Sequence, residues 1–264
     1  MIDKLQKAAE HGQGLGATYV ELRAEDRART NIEYEDGRVR SISQRLEEGV
    51  SIRVLAGGGW GFVSSANLSP AALKASVKVA YSLAKSAGKT RRDPVELAEV
   101  KPVKDKVKLK FTRSPADVEP QEKIAYAEKV WKEARRLDTR MSAITVRLRD
   151  GVGKKYIVTS EGTEIDMDIG HVHVWSWLTG KDDGKMTGAR EEFGSTNKGW
   201  EYFEEEMPPE PYAGILTKRV QLLLKGAKPK PGSFPCVLGG TIVGVLAHEA
   251  LGHLAEADLT IQSA

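Results

Sequence analysis

Apolar side chains recur at helical spacing in residues 2–15, where Ile2, Leu5, Ala8, Ala9 and Leu15 fall near one face and the glycine-rich GQGLG stretch ends the pattern. A short amphipathic helix is expected there. The period then drops to two. From Thr18 to Ser65 apolar and polar residues alternate through TYVELRAED, RTNIEYEDGRVRSISQRL and GVSIRVLAGGGWGFVSSA, which predicts antiparallel strands joined by EDG and AGGGWG turns. Asp36-Gly37 is a hairpin signal, because glycine accepts the positive φ of a tight turn. The AGGGWGF stretch has neither the spacing nor the strand-to-helix setting of a phosphate cradle, and reads as a turn with Trp60 and Phe62 packed inward. Ser69 and Pro70 then read as the N-cap and first residue of a helix that runs to Ala87 and stops at Gly88.

The second half repeats the type of the first. Residues 89–117, with KTRRDP and KPVKDKVKLK, are charged and punctuated by proline, as an exposed linker would be. Helical spacing returns from Glu119 to Leu137 through Ile124, Ala127, Val130, Trp131 and Ala134, and SAITVRLRDGVGKKYIVTSEGTEIDMDIGHVHVWSWLTG alternates again over several strands. Residues 209–226 form another expected helix, KPKPGS breaks it, FPCVLGG reads as a short strand, and Thr241 onward is helical. The expected fold class is therefore α+β: a helix plus an antiparallel sheet meander, arranged twice and ending in a buried HExxxH helix. Residues 1–100 would form an N-terminal helix/sheet/helix subdomain, and residues 101–264 a second α+β subdomain.

Burial of the last helix is expected because TIVGVLAHEALGHLAEAD is apolar on nearly every side until Glu256. Inside it stand His248, Glu249 and His253. At about 100° per residue, histidines four apart lie within about 40° of each other on a helix, whereas five apart they diverge by about 140°. Regular winding would splay this pair. Gly252, directly before the second histidine, is a poor helix former that can host a widened turn, a kink or an end. With the helix so distorted, His248 and His253 can share one metal, and Glu249 stands beside it as a general base for bound water. Spacing alone leaves open the alternative of two core histidines bonded to backbone carbonyls, with Glu249 in an ion pair.

Composition narrows the setting. A chain with 40% hydrophobic and 29% charged residues is an ordinary globular protein. Neither a secretory leader nor a long apolar run is present, so a cytoplasmic protein without a membrane partner is expected. The net charge of +3, from 40 basic and 37 acidic residues, is too even for a nucleic-acid binder. The single cysteine, Cys236, excludes an internal disulfide and a CxxC zinc ribbon, and reads as a small packing residue on the strand entering the last helix. Two further alternations stand out on strands. His171 and His173 beside Trp175 and Trp177 suggest half-exposed aromatic sheet packing, with a metal pair as the alternative, and Glu164, Asp166 and Asp168 suggest a solvated strand face, with a cation or peptide-amine site as the alternative.

Taken together, HEALGHLAEAD, its lead-in FPCVLGGTIVGVLAHE and the stretch GRVRSISQRLEEGVSIRVLAGGGWGFVSSANLS resemble the TldD/PmbA metalloproteases over essentially the whole sequence. The resemblance implies a zinc peptidase that acts on unstructured peptides or small proteins and assembles as a homo- or hetero-oligomer with a TldD/PmbA-type partner. It also implies that His248 and His253 are Zn2+ ligands and that Glu249 is the catalytic acid/base. Members of that family are longer, and their third ligand is a cysteine from a C-terminal half absent from this sequence. The chain is thus expected to be an N-terminal portion that needs a C-terminal half or partner for activity. The alternative is a non-catalytic peptide-binding or assembly subunit with a vestigial metal motif.

Overall fold

The structure, a computed structural model, describes residues 1–257 of the 264-residue chain. Met1–Lys225 forms one compact unit, and the chain from Gly226 forms a second.

The first unit opens with α1 (Ile2–Gly14), followed by three strands, β1 (Tyr19–Glu35), β2 (Arg38–Ala56) and β3 (Gly59–Ser65), and by α2 (Pro70–Gly88). The β1–β2 turn has Asp36 at φ 47° and Gly37 at φ 87°, the pair of positive angles that a two-residue hairpin needs. Ser69 caps α2 as expected, its side chain accepting from the backbone N–H of Ala72, with Pro70 at the first helical position. The glycines of AGGGWG have two uses. Gly57 and Gly58 turn the chain at positive φ, and Gly61 lets α2 lie directly on β3, since a Cβ there would sit 1.9 Å from the Ala80 carbonyl oxygen. Trp60 is half-buried, edge-on to Tyr19 and beneath the Arg53 guanidinium. Phe62, expected inward, is exposed: it alternates with Gly61 and so projects from the opposite side of β3 to the helix.

The second set comprises α3 (Pro120–Leu137), β5 (Met141–Thr159), β6 (Glu164–Asp182), β7 (Lys185–Ser195) and α4 (Pro209–Lys225). Its meander does not form a sheet of its own. β1 pairs antiparallel with both β2 and β5, so all strands, with β4 (Lys104–Val107) among them, join one seven-stranded sheet in the order β3-β2-β1-β5-β6-β4, with β7 also on β6. The expected linker contributes to it. β4 runs parallel to β6 at residues 164–167, while β7 occupies the same side of β6 further along, at residues 172–182. Lys104 and Lys108 bind Glu164 and Asp168, and Lys154 binds Asp166. The charges that made this stretch read as a free linker are thus the partners of the carboxylate row on β6.

Buried residues alternate with more exposed ones along much of β1, β2, β5 and β6, which puts the helices on one face of the sheet. Two cores result. α1 and α2 cover Val20, Leu22, Ile52 and Val54 at one end, and α3 and α4 cover Ile32, Val146, Leu148, Val174 and Leu178 at the other. Between them lies a cavity of about 300 Å³ floored by Ala28, Thr30, Gln44 and Val152, at whose wall Lys123 and Asp150 form a buried ion pair. The opposite face is open and carries Arg27, Arg29, Arg149, His171, His173 and Trp175.

In the second unit, residues 226–239 have no regular structure, so the short strand expected at FPCVLGG is absent and Cys236 is exposed instead of packed. α5 (Gly240–Ala247) follows. The helix expected to be buried is not: Ile242, Val245, Leu246, Leu251 and the His248, Glu249 and His253 side chains are all exposed. An apolar surface on every side expresses a preference for burial, but burial requires a facing layer, and residues 226–257 contain a single helix with none. The expected continuation of this helix beyond residue 257 lies outside the described residues. No helix among the described residues is long and apolar enough to cross a membrane.

Candidate metal centre

The winding of the last helix changes where the spacing required it to. α5 ends at Ala247, a π turn spans His248–Gly252, and a 3-10 turn follows at His253–Ala255. The His253 backbone N–H donates to the His248 carbonyl, a bond that spans five residues where an α-helix spans four. One extra residue in the turn lets a five-residue spacing do what a four-residue spacing does in a regular helix. Gly252 sits at the end of the widened turn with nothing nearer than 3.9 Å to where its Cβ would be, so the backbone is distorted without crowding.

The two imidazoles consequently face each other edge-on, with ring centroids 4.5 Å apart and an interplanar angle of 78°. Ligand atoms of His248, Glu249 and His253 all lie within 4.8 Å of one another. Among the described residues this is the one group of three such side chains close enough to hold a cation together. The Glu249 carboxylate comes to 3.9 Å from His253 Nε2. On the other side of the ring, His253 Nδ1 is 2.7 Å from the Glu256 carboxylate. A carboxylate at one ring nitrogen fixes the tautomer and orientation, which leaves the other nitrogen free to bind a metal. Glu256 was not among the candidates read from sequence, where it marked only the end of the apolar run. Its position three residues after His253, one helical turn on, was the available signal.

The donor set suits a borderline metal such as zinc, which takes imidazole nitrogen and carboxylate oxygen. It is incomplete for a catalytic centre, which ordinarily has three protein ligands besides water, if Glu249 is kept for proton transfer.

The other candidates do not gather into such a centre. His171 and His173 project from the open face of β6, where His171 lies over Gly151 and His173 is 3.7 Å from Glu192. Burial lowers the pKa of both rings; Arg27 and Arg29 add to the effect at His171, while the Glu192 carboxylate works against it at His173. Arg147 stacks on Trp175, and the Trp177 indole donates to Thr179, which is the half-exposed aromatic packing the alternation suggested.

Comparison with known proteins matches the first domain of the PmbA/TldA metallopeptidases to residues 20–84, and their central domain to residues 113–224. A metalloprotease of Methanocaldococcus jannaschii is 29% identical over 99% of this chain, which corresponds to 56% of the relative. A zinc metalloprotease TldD homolog of Saccharolobus solfataricus is 28% identical over 99% of the chain and 54% of its own length. TldE from Thermococcus kodakarensis superposes with a TM-score of 0.64 at 14% identity, over 83% of this chain and 47% of that one, which is a likeness of fold. The chain thus spans about half the length of the curated relatives it matches. With two successive domains matched in order along a sheet and helix arrangement of the same fold, this chain belongs to the TldD/PmbA metallopeptidase family.

Proposed function

We propose that this chain is the N-terminal portion of a zinc-dependent peptidase that hydrolyses unstructured peptides or small proteins, active when a C-terminal half or a TldD/PmbA-type partner completes its centre. The observation that carries the reading is the π turn at His248–Gly252, which turns two histidines five apart toward one another. A relative described as a zinc metalloprotease, matched over 99% of this chain, supports it.

In this reading His248 and His253 supply two nitrogen ligands, and Glu256 holds the His253 ring through Nδ1. A zinc ion bound there would lower the pKa of its water toward neutrality. Glu249, adjacent in sequence yet not needed as a ligand, accepts a proton from the attacking water and returns it to the leaving amine. The exposed apolar side chains of Ile242, Val245, Leu246 and Leu251 offer a surface for the completing segment, whose burial would also exclude water from the chemistry. A cytoplasmic location fits this role.

The test is to co-express the chain with the matching C-terminal half of a family member and to measure zinc content and cleavage of a disordered peptide. Zinc retention that His248→Ala and His253→Ala abolish, together with turnover that Glu249→Gln removes without loss of zinc, is the expected result. Zinc content unaffected by both histidine substitutions would refute the reading.

A further inference from the structure

Among the described residues β3 pairs only with residues 50–56 of β2, so the preceding stretch of β2, residues 38–49, has no strand on that side. It is almost wholly exposed and contains no proline. A long open edge of this kind is a template for another strand, and proteins usually blunt it. Here the edge carries a self-complementary pattern.

The backbone is oriented to pair. Gly57-Gly58 is a two-residue turn, so Ala56 and Gly59 flanking it form a hydrogen-bonded pair. Alternation from Ala56 directs the N–H and C=O groups of Glu48, Leu46, Gln44 and Ile42 to the same side, where they meet nothing beyond β3. The alternation is unbroken to that point, because the one register shift between β1 and β2 lies at Glu33/Tyr34, opposite residues 39–41.

We propose that this edge pairs antiparallel with the same edge of a second copy of the chain, about a two-fold axis at Gln44. In that register Ile42 of each copy meets Leu46 of the other, Gln44 meets Gln44, and Arg40 lies opposite Glu48. On the other face Ser43 meets Arg45 and Ser41 meets Glu47. Ile42 is 46% exposed and Leu46 89% exposed, large apolar side chains on the helix-bearing face with no helix over them. Paired, they would form two apolar contacts, one on each side of the Gln44–Gln44 pair, beside the cavity at Lys123 and Asp150. Moving the axis toward Arg38 sets Leu46 against arginine. Moving it toward Gly49 opposes Arg45 with Arg45 or brings Ile42 itself against the partner's β3, which in the register at Gln44 is reached only by Arg38, beyond the bulge at residues 39–41. Side-chain chemistry therefore selects one register, as an isologous interface demands.

No residue of the metal centre takes part, so the pairing stands or falls apart from the peptidase reading. Sedimentation of the full chain should show a concentration-dependent dimer, and Leu46→Lys should weaken it by about tenfold or more while the circular dichroism spectrum, and the melting temperature at concentrations where the parent is monomeric, stay unchanged. With the exposed Cys236 replaced by serine, Gln44→Cys should oxidise to a covalent dimer, because hydrogen-bonded partners stand about 5.5 Å apart at Cα. Ile42→Cys, facing Leu46, should not. A monomer at all concentrations, a dimer untouched by Leu46→Lys, a dimer that Gln44→Cys fails to bridge, or pairing only with a different protein would overturn the proposal.

Discussion

Lys123 is the residue that sequence reading had least reason to place in the interior. It falls on the buried face of α3 with its ammonium 2.7 Å from Asp150 and 2.8 Å from the Pro115 carbonyl oxygen, and both side chains are almost wholly buried. Burial raises the Asp150 pKa, and the bonds from Lys123 work against that rise. Removing one partner strands the other charge, so Lys123→Met should cost about 3–5 kcal/mol in denaturant unfolding, and adding Asp150→Leu should recover most of it. Equal stability of the single and double variants would show that the pair is not coupled. Asp138 shows the opposite shift. Its hydrogen bonds from Arg140, the larger cause, and from Gln221 hold its carboxyl well below the usual range. A depressed folded-state pKa contributes stability that is fully present above the unfolded value and is lost as pH falls below about 4. Asp138→Asn should therefore lower stability at neutral pH and flatten its decline between pH 4 and 2, read from melting temperatures across that range.

At the scale of elements, the π turn is the feature on which the metal chemistry depends, and its role can be tested by changing the spacing. Deleting Ala250 leaves two histidines four apart, which a regular α-helix keeps within about 40° of each other. Zinc affinity of the completed protein should then stay within about tenfold of the parent. Inserting an alanine after Leu251 places them six apart, about 120° from one another, and should abolish histidine-dependent zinc binding. If chelator competition shows the insertion variant binding as tightly as the parent, convergence of the two rings is not what holds the metal. The HExxxH spacing and Gly252 were plain in the sequence, and they stated the condition for convergence. Whether the backbone met it depended on which carbonyl the His253 N–H chose, a difference of one residue in hydrogen bonding that residue types do not specify.

At the scale of the molecule, the two meanders are one sheet, and residues 104–113 are part of its structure. Glu201, buried near α4, accepts backbone N–H bonds from Thr112, Arg113 and Gly199, and the Trp200 N–H returns one to the Arg113 carbonyl. Glu201→Ala leaves these donors unmet and should cost about 1–3 kcal/mol. Trypsin should then cut faster after Lys108, Lys110 and Arg113 than in the parent chain. An unchanged cleavage rate there would mean that the segment is held by its lysine–carboxylate pairs alone.

What the sequence determined by itself was local. The Asp36-Gly37 hairpin, the Ser69-Pro70 helix start and the two alternations of helix with strand follow from φ preferences, capping and periodicity, all of which act within a few residues. Tertiary structure decided what lies beside what. The pairing of β1 with β5 joins residues more than a hundred positions apart, and the parallel placement of β4 uses carboxylates on β6 that looked merely solvated. The apolar HExxxH helix was legible as a surface that favours burial. Its exposure was not legible, because hydrophobicity records the free energy of leaving water and carries no information about which surface will take the water's place.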